Sequence, residues 1–218
     1  MEDKALTPHI DALAASGVLF DKAYCVVPAC NPSRTALMSG LRPETTGQYT
    51  NAGNFREKPG GREIVTLAQY LQEHGYKTVE AGKIFHQPRG NGEEPNPMSD
   101  TASWDFQRRG HVGTPGHSLF LDANERALWL DGAGDPYISG QNSGMSYMTK
   151  FGVWGAIPQS KEECGDWQMA DFCAEYLAEK HDQPFFLALG IFRPHSPQLV
   201  PREFLDLYPL DQITLPSI

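Results

Sequence analysis

The 218-residue sequence lacks most of what would tie it to a membrane, to nucleic acid or to a disulfide scaffold. No apolar run approaches the ~20 residues that span a bilayer. Met1-Glu2-Asp3-Lys4 is not a secretory leader. Positive charge is short: 18 Lys and Arg stand against 27 Asp and Glu, a net charge of −9. That balance argues against nucleic acid or an anionic membrane surface as partner, although an acidic protein still binds an anion where its cations are concentrated. The four cysteines, Cys25, Cys30, Cys164 and Cys173, contain no C-x-x-C pair, which excludes a thioredoxin-like redox site. Cys164 and Cys173 fall on or beside one expected helix, ~13 Å apart along its axis and too far to bridge. What is present, 40% hydrophobic and 11% aromatic residues, describes a globular protein with one sizeable core.

One stretch carries a chemical pattern: Cys30-Asn31-Pro32-Ser33-Arg34-Thr35-Ala36-Leu37-Met38-Ser39-Gly40. Pro32 suits a first helical turn, where its missing N–H is not needed, and Gly40 suits the C′ position about two turns later. Cys30 is thereby expected at or just before a helix N-terminus, where unpaired N–H groups and the helix dipole favour an anion and lower a thiol pKa. Arg34, one turn on, adds a fixed cation whose fork suits sulfate or phosphate oxygens. A buried cysteine beside a surface arginine is the plainer reading of each residue alone. The full Cys-x-Pro-Ser-Arg pattern, however, arises by chance on the order of once in a thousand chains of this length. A tyrosine-phosphatase-type cysteine loop would place Arg six positions after the Cys, where Ala36 stands.

Around this stretch, helix and strand signals alternate as in an α/β layer. Thr7 to Gly17 reads as a capped helix with His9 on its surface, and Val18-Leu19-Phe20 as a short strand. Gln48 to Ile64 reads as loop. Thr66 and Gln69 form a capping box for a helix with Leu67, Tyr70 and Leu71 on its apolar face, ended by Gly75. Tyr76 to Ala81 follows as a strand delivering Gly82-Lys83-Ile84-Phe85-His86. Residues 87 to 160 are rich in Gly, Pro, Asn and Ser and read as an irregular, substrate-shaping insertion. His111 and His117 have no partner spacing for a metal, and Trp104, Trp129 and Trp154 suit either core packing or stacking on a sugar. Asp166 to Lys180 reads as a helix with Trp167, Ala170, Cys173, Ala174 and Leu177 on one face. Pro184 to Gly190 reads as a central strand buried on both faces, ending in Ile191-Phe192-Arg193-Pro194-His195-Ser196-Pro197. Lys83, His86 and His195 thus follow strand ends, where ligand sites of α/β sheets gather.

Cys30, Pro32, Ser33, Arg34 and Gly40 resemble the sulfatase signature Cys-x-Pro-Ser-Arg-x-x-x-Leu-Thr-Gly, with Met38 for Leu and Ser39 for Thr. Gly82-Lys83-Ile84-Phe85-His86 resembles the second motif of that family, especially its iduronate-2-sulfatase branch. Arg193-Pro194-His195-Ser196-Pro197 resembles its Lys-Pro-His-x-Pro, and Phe204 to Leu210 is similar to the same branch. The resemblance implies an alkaline-phosphatase/sulfatase-like α/β fold, a mixed sheet flanked by helices. It implies residues 1–218 as a partial catalytic domain lacking the first strand and the C-terminal part. It also implies sulfate-ester hydrolysis through formylglycine made from Cys30, whose hydrate carries the attacking oxygen and whose second hydroxyl lets the covalent sulfate collapse. Catalytic roles would fall to Cys30, Arg34, Lys83, His86 and His195, with Lys83, His195 and Arg193 binding substrate. Expected partners are a sulfated carbohydrate and a formylglycine-generating enzyme, and the expected compartment is extracytoplasmic.

The family's metal, usually Ca²⁺, is held by the formylglycine at Cys30, by an Asp-Asp pair, and by a later Asp followed by Asn or His. A hard cation needs several oxygen ligands. The sequence contains no Asp-Asp pair, and His181-Asp182 has the wrong order. An internal piece of a longer sulfatase, with little activity alone, is therefore expected. Two alternatives stay open: a phosphonate or phosphate ester hydrolase of the same superfamily, and a non-catalytic remnant that binds sulfated carbohydrate with an unmodified Cys30.

Overall fold

A computed structural model describes residues 5–86, 99–108, 154–157, 159–195 and 198–213. Its helices are α1 (Pro8–Ser16), α2 (Cys30–Ser39), α3 (Pro43–Thr46), α4 (Leu67–Glu73), α5 (Gly165–Ala178) and α6 (Arg202–Leu205). Its strands are β1 (Lys77–Gly82), β2 (Phe106–Gln107), β3 (Trp154–Ile157), β4 (Phe185–Gly190) and β5 (Gln198–Pro201). One sheet has the order β2-β1-β4 and a second pairs β3 with β5, all pairs parallel. Parallel pairing needs crossovers, which supply the helices of an α/β layer. Lys77 to Gly82 pair in register with Phe185 to Gly190, so the two strand ends that precede the Lys83 and His195 loops lie side by side.

The most apolar run is not the central strand among the described residues. That place belongs to β1, buried from Thr78 to Gly82, while β4 is mostly half-buried. Polar letters disguised it. Glu80 accepts hydrogen bonds from Gln107 Nε2 and Ser99 Oγ, both at 2.7 Å, and the Thr78 hydroxyl is tied to Gln72 and Asp105. A buried polar side chain with partners costs little and leaves no hydrophobic signal.

Other expectations are corrected as well. Val18, Leu19 and Phe20 form no strand, are more than 70% exposed, and find no partner strand among the described residues. In α4 the buried residue is Ala68, whereas Leu67 and Tyr70 are exposed. In α5 the buried stripe is Met169 and Cys173 with Phe172 beside it, not Trp167 and Leu177. The loop before α4 contributes Phe55, fully buried among Met38, Ala68, Phe85 and Trp104. Residues 99–108 of the expected insertion supply β2 and the core residue Trp104, and 154–157 supply β3. His111, His117 and Trp129 lie outside the described residues.

Arg56 knits the loop to the core. It pairs with Asp100 at 2.6 Å, donates to Gln69 at 2.7 Å and lies 4.6 Å from the Phe55 ring centroid.

Candidate active site

Cys30 is the first residue of α2, and Gly40 ends that helix with φ +69°, as the spacing predicts. The N-terminus is fixed from outside the helix. The Asn31 N–H donates to Asn51 Oδ1 at 2.9 Å, and its Nδ2 donates to Gly53 O at 3.0 Å. Thr35 Oγ1 returns a bond to Asn31 Oδ1 at 3.3 Å, so both faces of a fully buried amide are used. Sequence reasoning treated Asn31 as a spacer; nothing local distinguishes it.

Arg34 reaches the next loop. Its Nη1 donates to Lys83 O at 2.6 Å and to Ile84 O at 3.0 Å, tying α2 to the end of β1. There Gly82 has φ +80°, and a Cβ at Gly190 would stand 2.2 Å from Lys83 O. Two glycines therefore let the Lys83 and Arg193 loops meet backbone to backbone, joined by Lys83 N–H to Gly190 O at 2.8 Å. Both glycines were visible as strand ends, but their mutual contact required the register.

Lys83 is 3% exposed, and its Nζ lies 4.4 Å from the Phe192 ring centroid. Burial pulls its pKa down to about 8; the Cys30 sulfur opposes that shift and Arg34 adds to it. Burial also lowers the Arg34 guanidinium, again opposed by Cys30. His86 falls to about 4 through burial and the charges of Lys83, Arg34 and His195. Its Nδ1 is buried with no hydrogen-bond partner among the described residues. These mutual influences draw Cys30, Arg34, Lys83, His86 and His195 into one electrostatic group. The group sets cationic side chains near a helix N-terminus, chemistry that favours an anion.

Arg193 Nη1 donates to the His195 carbonyl, which joins it to that group through the loop backbone. Asp166 and Cys164 are the neighbours that offset its burial, and it lines a cleft of about 300 Å³ with Cys164, Trp167, Ile191 and Phe204. Cys164 and Cys173 are buried thiols with raised pKa values, Cys164 up to about 11, so neither is a reactive thiolate.

The sulfatase family model matches residues 2–217. The chain belongs to the sulfatase family. A sulfatase of Formosa agariphila is 37% identical over 214 residues, covering 96% of this chain and 38% of that protein. Human iduronate 2-sulfatase is 30% identical over 212 residues, covering 96% and 34%. A phosphonate monoester hydrolase of Agrobacterium radiobacter shares the fold with TM-score 0.60 at 21% identity, covering 94% of this chain and 39% of that one. The sulfatase chain thus spans little more than a third of the length of the two curated relatives.

Sulfatases generally use formylglycine and Ca²⁺. No group of three or more His, Cys, Asp or Glu side chains fit for a metal occurs among the described residues. The cluster is cationic, so these residues alone do not fit a calcium cage. No helix among the described residues is long and apolar enough to cross a membrane.

Proposed function

We propose that this chain forms the anion pocket of a sulfuric ester hydrolase acting on a sulfated carbohydrate, with Cys30 matured to formylglycine as the nucleophile. What supports this reading is Arg34, on the helix that starts at Cys30, bonding to the Lys83 backbone, with the Phe192 ring lying against both Lys83 and His195. One hydroxyl of the hydrated aldehyde attacks sulfur, the S–O bond to the sugar breaks, and the sugar oxygen leaves with a proton. The second hydroxyl then loses its proton, the aldehyde re-forms and sulfate departs.

Within that sequence Lys83 and His195 hold sulfate oxygens, and Arg34 fixes the Lys83 loop while facing the nucleophile. His86 is neutral at working pH because its pKa is held near about 4. Its unpartnered Nδ1 is placed to accept a hydrogen bond from the hydrate and orient it for collapse. The 2-O-sulfated uronic acid is the favoured unit, supported by the likeness to the iduronate 2-sulfatases. An extracytoplasmic address is proposed from membership of the sulfatase family.

The test is steady-state turnover of matched aryl sulfate and aryl phosphate esters by the complete gene product, expressed with a maturing enzyme. Sulfate ester hydrolysis that Cys30→Ala abolishes is expected. Preferential hydrolysis of the phosphate or phosphonate ester would replace this reading with that of a phosphoester or phosphonate hydrolase.

A further inference from the structure

The loop after β4 is held by a residue that the reaction does not use. Asp166, in the first turn of α5, accepts the Phe192 N–H on Oδ1 at 3.0 Å and the Arg193 N–H on Oδ2 at 2.9 Å. Both oxygens of one carboxylate thus bind two successive amides, an arrangement that fixes the local peptide planes. Gly190, two residues earlier, is pressed against the Lys83 backbone. The segment is therefore fastened on both sides of Ile191.

What hangs from this fastening is Phe192. Its side chain is buried, with 6% exposure. Its ring centroid lies 4.4 Å from Lys83 Nζ and 4.6 Å from the His195 ring. A cation over an aromatic face is attracted to it and confined by it. One ring thus touches two members of the cationic group. Its backbone is set by α5, an element that contributes no residue to that group.

We propose that Asp166 is a positioning residue that sets Phe192 and, through the Phe192 ring, aligns Lys83 and His195 for the sulfuryl group. This inference rests on the sulfatase reading for its catalytic consequence, but not for its geometry. Asp166→Asn exchanges one acceptor oxygen for an amide that cannot accept the second N–H. Asp171→Asn makes the same change on the exposed face of α5 and serves as the control.

Three measurements on the complete gene product test the proposal. Amide exchange at Phe192 and Arg193 should rise about 10-fold or more in Asp166→Asn and stay unchanged in Asp171→Asn. Acylation of Lys83, followed by peptide mass, should accelerate in Asp166→Asn and in Phe192→Leu, which removes the ring contact and leaves the clamp. Aryl sulfate kcat/KM should fall about 10- to 100-fold in both variants, with weaker inhibition by inorganic sulfate, and recover in part in Asp166→Glu. Unchanged exchange in Asp166→Asn, or unchanged Lys83 acylation in Phe192→Leu, would overturn it. Wild-type protein without sulfate ester activity would instead overturn the functional reading, with exchange and acylation still deciding the clamp. If Asp166→Asn fails to fold, Phe192→Leu alone decides: wild-type acylation and turnover would overturn the proposal.

Discussion

Helices α1 and α2 are nearly equal in length, 9 and 10 residues, and the local signals favour the first. Thr7, Pro8 and Gly17 bracket α1 as start and stop residues, yet it buries none of its side chains. Its Thr7 hydroxyl donates to Asp11 Oδ1 rather than capping a backbone N–H. By contrast α2, written in Cys, Asn, Pro, Ser and Thr, buries Asn31, Pro32, Thr35 and Met38. It is bonded to the 51–53 loop and to the end of β1. Propensity specifies a helix, but only long-range bonds fix where its first residue points. The residue that must be placed, Cys30, lies on the helix with the poorer propensity and the better anchors.

The largest effect should come from cutting the anchor that crosses to β1. Arg34→Ala removes two hydrogen bonds to the Lys83 loop and a pocket cation, and aryl sulfate kcat/KM should fall at least about 100-fold. A fall of under about 10-fold would show that the tie between α2 and β1 does not organise the site. Next, Asn31→Ala should cost about 1–3 kcal/mol in denaturant unfolding, since it strands the Gly53 carbonyl and the Thr35 hydroxyl. Wild-type stability would remove Asn31 from the anchor set.

A pH series sharpens the contrast further, because Lys83 and His86 both sit at the α2 end. His86 titrates near about 4 in the folded protein, against 6.5 ordinarily. The unfolded chain therefore takes the proton first, and stability is lost as pH falls from 6.5 towards 4. Lys83 at about 8 has the same sign in a higher window: the unfolded chain keeps its proton up to 10.5, so stability rises as pH climbs from about 8 towards 10.5. Thermal unfolding of Lys83→Met against wild type should lose the upper limb. Turnover should decline above pH of about 8 as the Lys83 ammonium is lost, and Lys83→Arg should move that decline upward.

The smallest effect belongs to α1. Ile10→Ser and Leu13→Ser alter side chains that are 68% and 73% exposed, and in the 218-residue chain each should change stability by less than about 0.5 kcal/mol. A loss above about 2 kcal/mol would mean that α1 is covered, and the contrast with α2 would fail.

The same contrast explains what was legible in the sequence. Elements marked by local chemistry were readable: the Cys30 to Gly40 helix, the Thr66–Gln69 capping box, β1 and β4, and the histidine and lysine positions at strand ends. Features that exist only once distant segments meet were not. Asn51 against Asn31, Asp166 against the Phe192 amide, and Gly190 against Lys83 have no pattern of their own in one sequence. The polar core misled in the same way, since Thr78 and Glu80 are buried by virtue of partners up to 27 residues away. Val18 to Phe20 shows the reverse error, a run with strand propensity and no strand beside it among the described residues.

The central claim, that α2 is anchored in order to present a formylglycine, is tested most directly by the mass of the peptide carrying position 30. That peptide is to be taken from the complete gene product purified after expression with a maturing enzyme. The account predicts a peptide ~18 Da lighter than the encoded one, the difference between thiol and aldehyde. An unmodified Cys30 thiol in protein that turns over a sulfate ester would contradict it.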